Sequence, residues 1–145
     1  MREIRFYIED ISFKLTDKAR IRQWIDGVLK REGFRPGAIN YIFCSDVYLI
    51  EINKQFLQHD TYTDIVTFPY EDTGNRISGD LFISVDRVRD NASQFGVSEL
   101  DELHRVMVHG VLHLCGYKDK SKEQQHAMRT KENESLEKRW FKKDC

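Results

Sequence analysis

The sequence predicts an α+β fold, with about four strands in a mixed sheet packed against helices. Three observations predict it. Short runs of alternating or continuous apolar residues dominate the first 85 residues, helical apolar spacing dominates the remainder, and capping residues punctuate the boundaries.

Each element has its own signal. Ile4, Phe6 and Ile8 alternate with Arg5, Tyr7 and Glu9, as in a half-buried strand with the first three facing inward. Thr16, behind Leu15, is the expected N-cap of a helix in which Ile21, Trp24, Ile25, Val28 and Leu29 share one face before Gly33 stops the pattern. Ile39 to Cys44 reads as a second strand. Asp46 is placed to cap a short helix running toward Phe56, with Asn53 as a C-cap. Thr63 to Phe68 is a β-branched third strand that Pro69 should halt, and Gly79 to Val85 is a fourth. Asp86 is expected to cap a helix ending at Gly96. Ser98-Glu-Leu-Asp101 opens another near 98–115, with Leu100, Leu103, Val106, Met107, Val111 and Leu114 on its buried side and Gly116 at its C-terminal end. Ser121-Lys-Glu-Gln124 is a capping box for a charged last helix reaching roughly Phe141. With no internal repeat, low-complexity tract or linker, the expectation is one domain over residues 1–145.

Composition narrows the function classes. Lys plus Arg number 23 against 24 Asp plus Glu, a formal charge of −1, so any affinity for nucleic acid has to come from a local patch. From Lys118 to Cys145 nine basic residues face six acids, or +3, leaving −4 for the rest; that polarity would draw a phosphate backbone toward this end. No window approaches the ~18 apolar residues of a membrane span, and Met1 to Asp10 lacks a signal-peptide hydrophobic stretch. The expected setting is cytoplasmic, without membrane association. Cys44, Cys115 and Cys145 form no C-x-x-C pair, which suits free thiols in a reducing compartment.

His109 and His113, four apart on the helix near 98–115, project from one face with the spacing that grips a metal ion. Spacing alone is weak, since five histidines shuffled through the chain produce such a pair in roughly one sequence in seven. The context adds to it. Gly116 can turn the chain back and bring Asp119 within reach as a third ligand, and two histidines plus a carboxylate with an open fourth position describe a catalytic zinc site better than a structural one. In the zinc-protease pattern H-E-x-x-H the second residue is the general base; here it is Gly110, which argues against a peptidase. Cys115 lies roughly opposite His113 on the helix and reads as a small packing residue. His104, five before His109, points elsewhere; with His59 and His126 it is expected at the surface.

At this point three ordered motifs resemble a known family. His109-Gly-Val-Leu-His113-Leu-Cys-Gly116-Tyr117-Lys-Asp119 is similar to the H-G-x-L-H-L-x-G-Y-D-H signature of the YbeY endoribonucleases. The segment from Asn53 to Pro69, with Asp60 and Thr63-Asp64-Ile-Val-Thr-Phe68-Pro69, resembles the family's L-N-x-x-y-R-x-x-D-x-P-T-D-V-L-S-F-P stretch, and Gly79-Asp80-Leu-Phe-Ile-Ser84 its G-D-I-x-I-S strand. The resemblance implies a zincin-like domain, one metal per chain (zinc, or another divalent ion), and single-strand RNA cleavage during 3′-end processing of small-subunit 16S rRNA. The expected partners are rRNA and the small ribosomal subunit or ribosome-associated proteins, and the expected oligomeric state is a monomer.

Four departures fall within these motifs. Asp119 replaces the third histidine, lowering the site's charge from +2 to +1 and suiting a harder metal such as manganese as well as zinc. Lys118 replaces an aspartate, Leu57 an arginine that would clamp phosphate, and Tyr62 a proline. Lys118 could return a cation near the metal and is a candidate catalytic residue; Asp80 and Ser84, bordering the fourth strand, are two more, and Asp64 borders the third. Two other readings compete. One is a ribosome-assembly or RNA-binding factor of weak catalysis, motivated by Leu57 and Lys118; the other is a metallopeptidase, motivated by the paired histidines.

Overall fold

The computed structural model describes residues 3–57 and 63–142. Four strands, β1 (Ile4–Ile8), β2 (Arg35–Cys44), β3 (Ile65–Tyr70) and β4 (Arg76–Ser84), form one sheet in the order β1-β2-β4-β3, with β1, β2 and β4 parallel and β3 antiparallel to β4. Five helices accompany it: α1 (Lys18–Arg31), α2 (Asp46–Ile52), α3 (Val85–Phe95), α4 (Glu99–Leu114) and α5 (Lys122–Glu137). This is the mixed α+β sheet that the sequence predicts.

Strand alternation divides the apolar residues between two faces. Ile39, Tyr41 and Phe43 of β2 with Leu81 and Ile83 of β4 meet α1, α3 and α4 in the main core, where Ile21, Trp24, Met107 and Val111 are also buried. Cys44, with Val66 and the half-buried Phe82, packs under α2 on the opposite face. Burial pushes the thiols of Cys44 and Cys115 up to about 12, with nearby carboxylates reinforcing it; both stay protonated and inert. Cys145 lies outside the described residues.

Several boundaries differ from expectation for identifiable reasons. Thr16 is not the N-cap of α1: Asp17 takes that place in the left-handed region at φ 59°, which aspartate tolerates better than most residues. Ser45 caps α2 in place of Asp46, its hydroxyl accepting the Tyr48 N–H at 3.1 Å, and Ser84 caps α3 in place of Asp86. Asn53 is the C-cap of α2 as expected, but it keeps right-handed helical angles, so the chain runs on into a π-helical turn over Asn53–Leu57. Pro69 does not halt β3. It pairs with Gly79 within the strand because β3 is at the sheet edge, where a missing N–H costs no ladder bond. β2 starts four residues earlier than Ile39, absorbing Pro36 and Gly37 through a register shift. Ile8, closing an edge strand, is exposed, as is Leu100 in the first turn of α4. α5 ends at Glu137 rather than near Phe141, though its capping box forms as expected.

Among the described residues no helix is long and apolar enough to cross a membrane. His126 is exposed as expected; His59 and Tyr62 lie outside the described residues. His104 is the clear exception. It is 1% exposed in the main core, because α5 and the turn after it cover that side of α4.

Candidate metal centre

α4 lies against β3 and β4 closely enough that any side chain at position 110 would displace the tips of two sheet residues. A Cβ there would sit 2.6 Å from Ile65 Cδ1 and 3.0 Å from Leu81 Cδ2. Position 110 therefore faces the sheet, and a glutamate there would start out directed at Ile65 and Leu81, away from the direction a general base needs. The metallopeptidase reading loses its structural footing at this residue.

The histidines on either side of this contact point the other way. His109 and His113 stand with ring centroids 4.6 Å apart and planes at 83°. After Leu114 the helix closes in a Schellman turn, with the Gly116 N–H on the His113 carbonyl, the Tyr117 N–H on the Leu112 carbonyl, and Gly116 at φ 109°. This reversal delivers Asp119. Its Oδ2 is 3.4 Å from His109 Nε2 and 3.3 Å from His113 Nε2, and one donor atom from each of the three residues falls within a 4.8 Å group.

The two rings are held from behind. His113 Nδ1 is 2.9 Å from the Tyr117 carbonyl, and the Tyr117 hydroxyl donates to Glu32 Oε1 at 2.7 Å, pinning the turn to the end of α1. His109 Nδ1 is 2.5 Å from Glu132 Oε2 of α5. A proton on each Nδ1, directed at these acceptors, would leave the Nε2 atoms of both histidines to meet an ion beside Asp119. Arg105 donates to Glu132 Oε1 at 2.8 Å and to Asn133 Oδ1 at 2.7 Å. Burial alone would raise the Glu132 pKa, yet His109 and Arg105 bring it below the usual carboxylate value. For His109 burial works toward a lower value, and the Glu132 bond, aided by Asp64 and Asp119, carries it above the ordinary histidine value. A donor set of two imidazoles and one carboxylate, preset in tautomer and direction, fits a divalent cation such as zinc.

The cluster opens on a cleft of about 440 Å³ lined by residues of α3, α4 and α5 together with Asp64. Burial raises the pKa of the Asp64 carboxyl.

The remaining candidates lie elsewhere. Lys118 is exposed on the turn between α4 and α5 and does not line this cleft. Asp80 is on the sheet face opposite Leu81, accepting from Asn40 Nδ2 at 3.0 Å and from the Tyr70 hydroxyl. Ser84 is fully buried; its hydroxyl accepts the Arg87 N–H and donates to Asp46 Oδ1 at 2.5 Å. Neither Asp80 nor Ser84 joins the histidines, because capping and cross-strand pairing already engage them. Glu132 is the residue that sequence reasoning missed. It is one acid among several on a charged helix, and its only signal is membership of the capping-box helix that must pack back over α4.

The comparisons with known proteins identify the family. A family model described as "Endoribonuclease YbeY" matches residues 3–139. Among curated relatives, an endoribonuclease YbeY of Cytophaga hutchinsonii is 49% identical over 138 residues, covering 95% of this chain and 96% of the relative. That of Parabacteroides distasonis is 49% identical over 133 residues, covering 92% and 93%. A Thermotoga maritima protein of known solution structure superposes with a TM-score of 0.63 at 26% identity, covering 94% of this chain and 89% of that one.

Proposed function

The chain belongs to the endoribonuclease YbeY family, and from that premise we propose that it is a metal-dependent endoribonuclease acting on single-stranded RNA. Its place is the maturation of ribosomal RNA, at the 3′ end of small-subunit 16S rRNA, in the cytoplasm and in company with the small ribosomal subunit or proteins bound to it. The observation that carries this reading is the convergence of His109 Nε2, His113 Nε2 and an Asp119 oxygen at the mouth of an open cleft.

These three residues would hold one divalent ion per chain, zinc or a harder metal that accepts the carboxylate. Once bound, such an ion supplies Lewis acidity toward a phosphoryl oxygen. The chain's own residues do the positioning. Glu132 and the Tyr117 carbonyl fix the two imidazoles, Arg105 balances the Glu132 charge, and the Schellman turn at Gly116 sets Asp119 against both rings. Lys118, exposed beside Asp119, adds a cation that attracts the RNA backbone as it approaches.

Elemental analysis of the untagged protein, with cleavage of an unstructured oligoribonucleotide, tests the reading. Near one equivalent of metal is expected in the wild type and near none in His113→Ala or Asp119→Ala, with cleavage lost in parallel. Lys118→Ala should keep its metal and bind RNA more weakly. A wild type that takes up no metal when zinc and manganese are offered would leave RNA binding without catalysis as the better account.

A further inference from the structure

The cleft beside His109 does not end at the metal cluster. It continues along α4 and α5 into a second hollow of about 370 Å³, and Phe95, Glu102, Arg105 and Arg129 line both parts, with Glu102 buried at their floor. Phe95 is the last residue of α3, followed by Gly96 in the left-handed conformation that ends the helix. The other apolar residues of α3, Val85, Val88 and Ala92, are buried, but the Phe95 residue is 62% exposed at the edge of the groove. An aromatic ring held largely in water gains free energy from any flat partner that covers it.

The charges of the groove are unequally engaged. Arg105 is committed to Glu132 and Asn133. Arg139 is committed to His104 and Asp101, and Lys142 also donates to Asp101. Arg129 differs: it is exposed, and among the described residues its guanidinium makes no hydrogen bond or close ion pair, its electrostatic neighbour being the buried Glu102 carboxyl, whose pKa it pulls down against burial. An aromatic face on α3 and a planar cation on α5 without a close ion-pair partner thus border the same groove beside His109.

We infer that Phe95 and Arg129 form a subsite for one unpaired nucleotide of an RNA strand, with the base stacked on the Phe95 ring and a neighbouring phosphate bound by the Arg129 guanidinium. The inference rests on the ribonuclease reading above and deepens it. Stacking on one aromatic face tolerates any base, because every base has a π-face. It also requires a base that is not already stacked in a duplex, which provides a physical basis for single-strand preference. The guanidinium matches phosphate bidentately, so Arg129 provides from α5 a phosphate contact that Leu57 cannot make.

The test uses the metal-loaded full chain and a short, fluorescently labelled, unstructured oligoribonucleotide, read by anisotropy and by cleavage. Phe95→Ala and Arg129→Ala should each raise Kd roughly 5- to 100-fold, and Phe95→Tyr, which keeps a stacking face, should retain most of the affinity. Phe95→Ala should raise KM more than it lowers kcat. In the wild type, an abasic substitution scanned along the oligonucleotide should weaken binding at one position, and that position should have no further effect in Phe95→Ala. Circular dichroism of both exposed-site variants should match the wild type. A wild type that cuts RNA while both alanine variants bind and cut equally well would overturn the subsite and leave the ribonuclease reading intact. A wild type that neither binds nor cuts single-stranded RNA would overturn both.

Discussion

His104 and His109 lie five residues apart on α4, and each receives its partner from α5 or the turn after it, yet their surroundings shift their pKa values in opposite directions. His104 is packed between the rings of Trp24 and Phe141, with centroids at 5.5 and 5.8 Å, and its Nδ1 accepts from Arg139 Nη1 at 2.9 Å. Burial first, and then the Arg139 cation with a smaller push from Lys142, lowers its pKa to about 4 against the pull of Asp101. Its Nε2 has no partner among the described residues. His109 is half-buried and meets the Glu132 carboxylate, which outweighs burial and raises its pKa. The residue type, the helix and the source of the partner are the same. What differs is the depth of burial and the sign of the partner's charge, so α5 with its tail helps decide which histidine is a neutral core residue and which is an oriented donor.

Removing Glu132 should break this contrast most severely. Glu132→Ala leaves Arg105 and His109 without their buried counter-charge, with an expected loss of about 3–5 kcal/mol in urea unfolding. Glu132→Gln keeps the shape and an acceptor; it should fold and lose about 10- to 100-fold in zinc affinity by competition titration.

The pH dependence should sharpen the contrast, with the two histidines acting in opposite directions. For His104 the folded pKa lies below the ordinary value of about 6.5, so the unfolded chain binds the extra proton. Stability is therefore lost as pH falls from about 6.5 toward 4, by up to about 3 kcal/mol from this group. In the metal-free protein the raised pKa of His109 has the reverse sign: its contribution is present at low pH and disappears as pH rises through that pKa. Urea midpoints at pH 7.5 and 5 should differ less in His104→Gln than in the wild type, and an unchanged difference would mean that His104 is not the group responsible. Zinc affinity should fall on acidification, since the ion displaces the His109 proton.

The smallest expected effect comes from the helix that supplies both partners. Ser121 and Gln124 form the capping box of α5, so Ser121→Ala should cost about 1 kcal/mol. Because Glu132 and Arg139 follow in the same segment, amide exchange around both His104 and His109 should rise together in this variant. A response at only one of them would separate the two sites.

The amino-acid sequence by itself determined the α+β class, the order of the elements and the pair His109 and His113 with Asp119, because each depends on local spacing. Alternation marks strands, helical period marks α1 and α4, and Gly116 forces a reversal within a few residues of the two histidines. Even the YbeY resemblance rested on such short, ordered motifs. Tertiary structure alone decided what depends on distant packing. It selected Glu132 over the other acids of α5, buried His104 under Phe141 and Arg139, left Phe95 at the rim of a groove, and turned Ser84 from a catalytic candidate into a helix cap bonded to Asp46. The physical reason is common to all four. A side chain's charge state and partner depend on which element covers it, and for residues 20 or more positions apart no local periodicity specifies that contact.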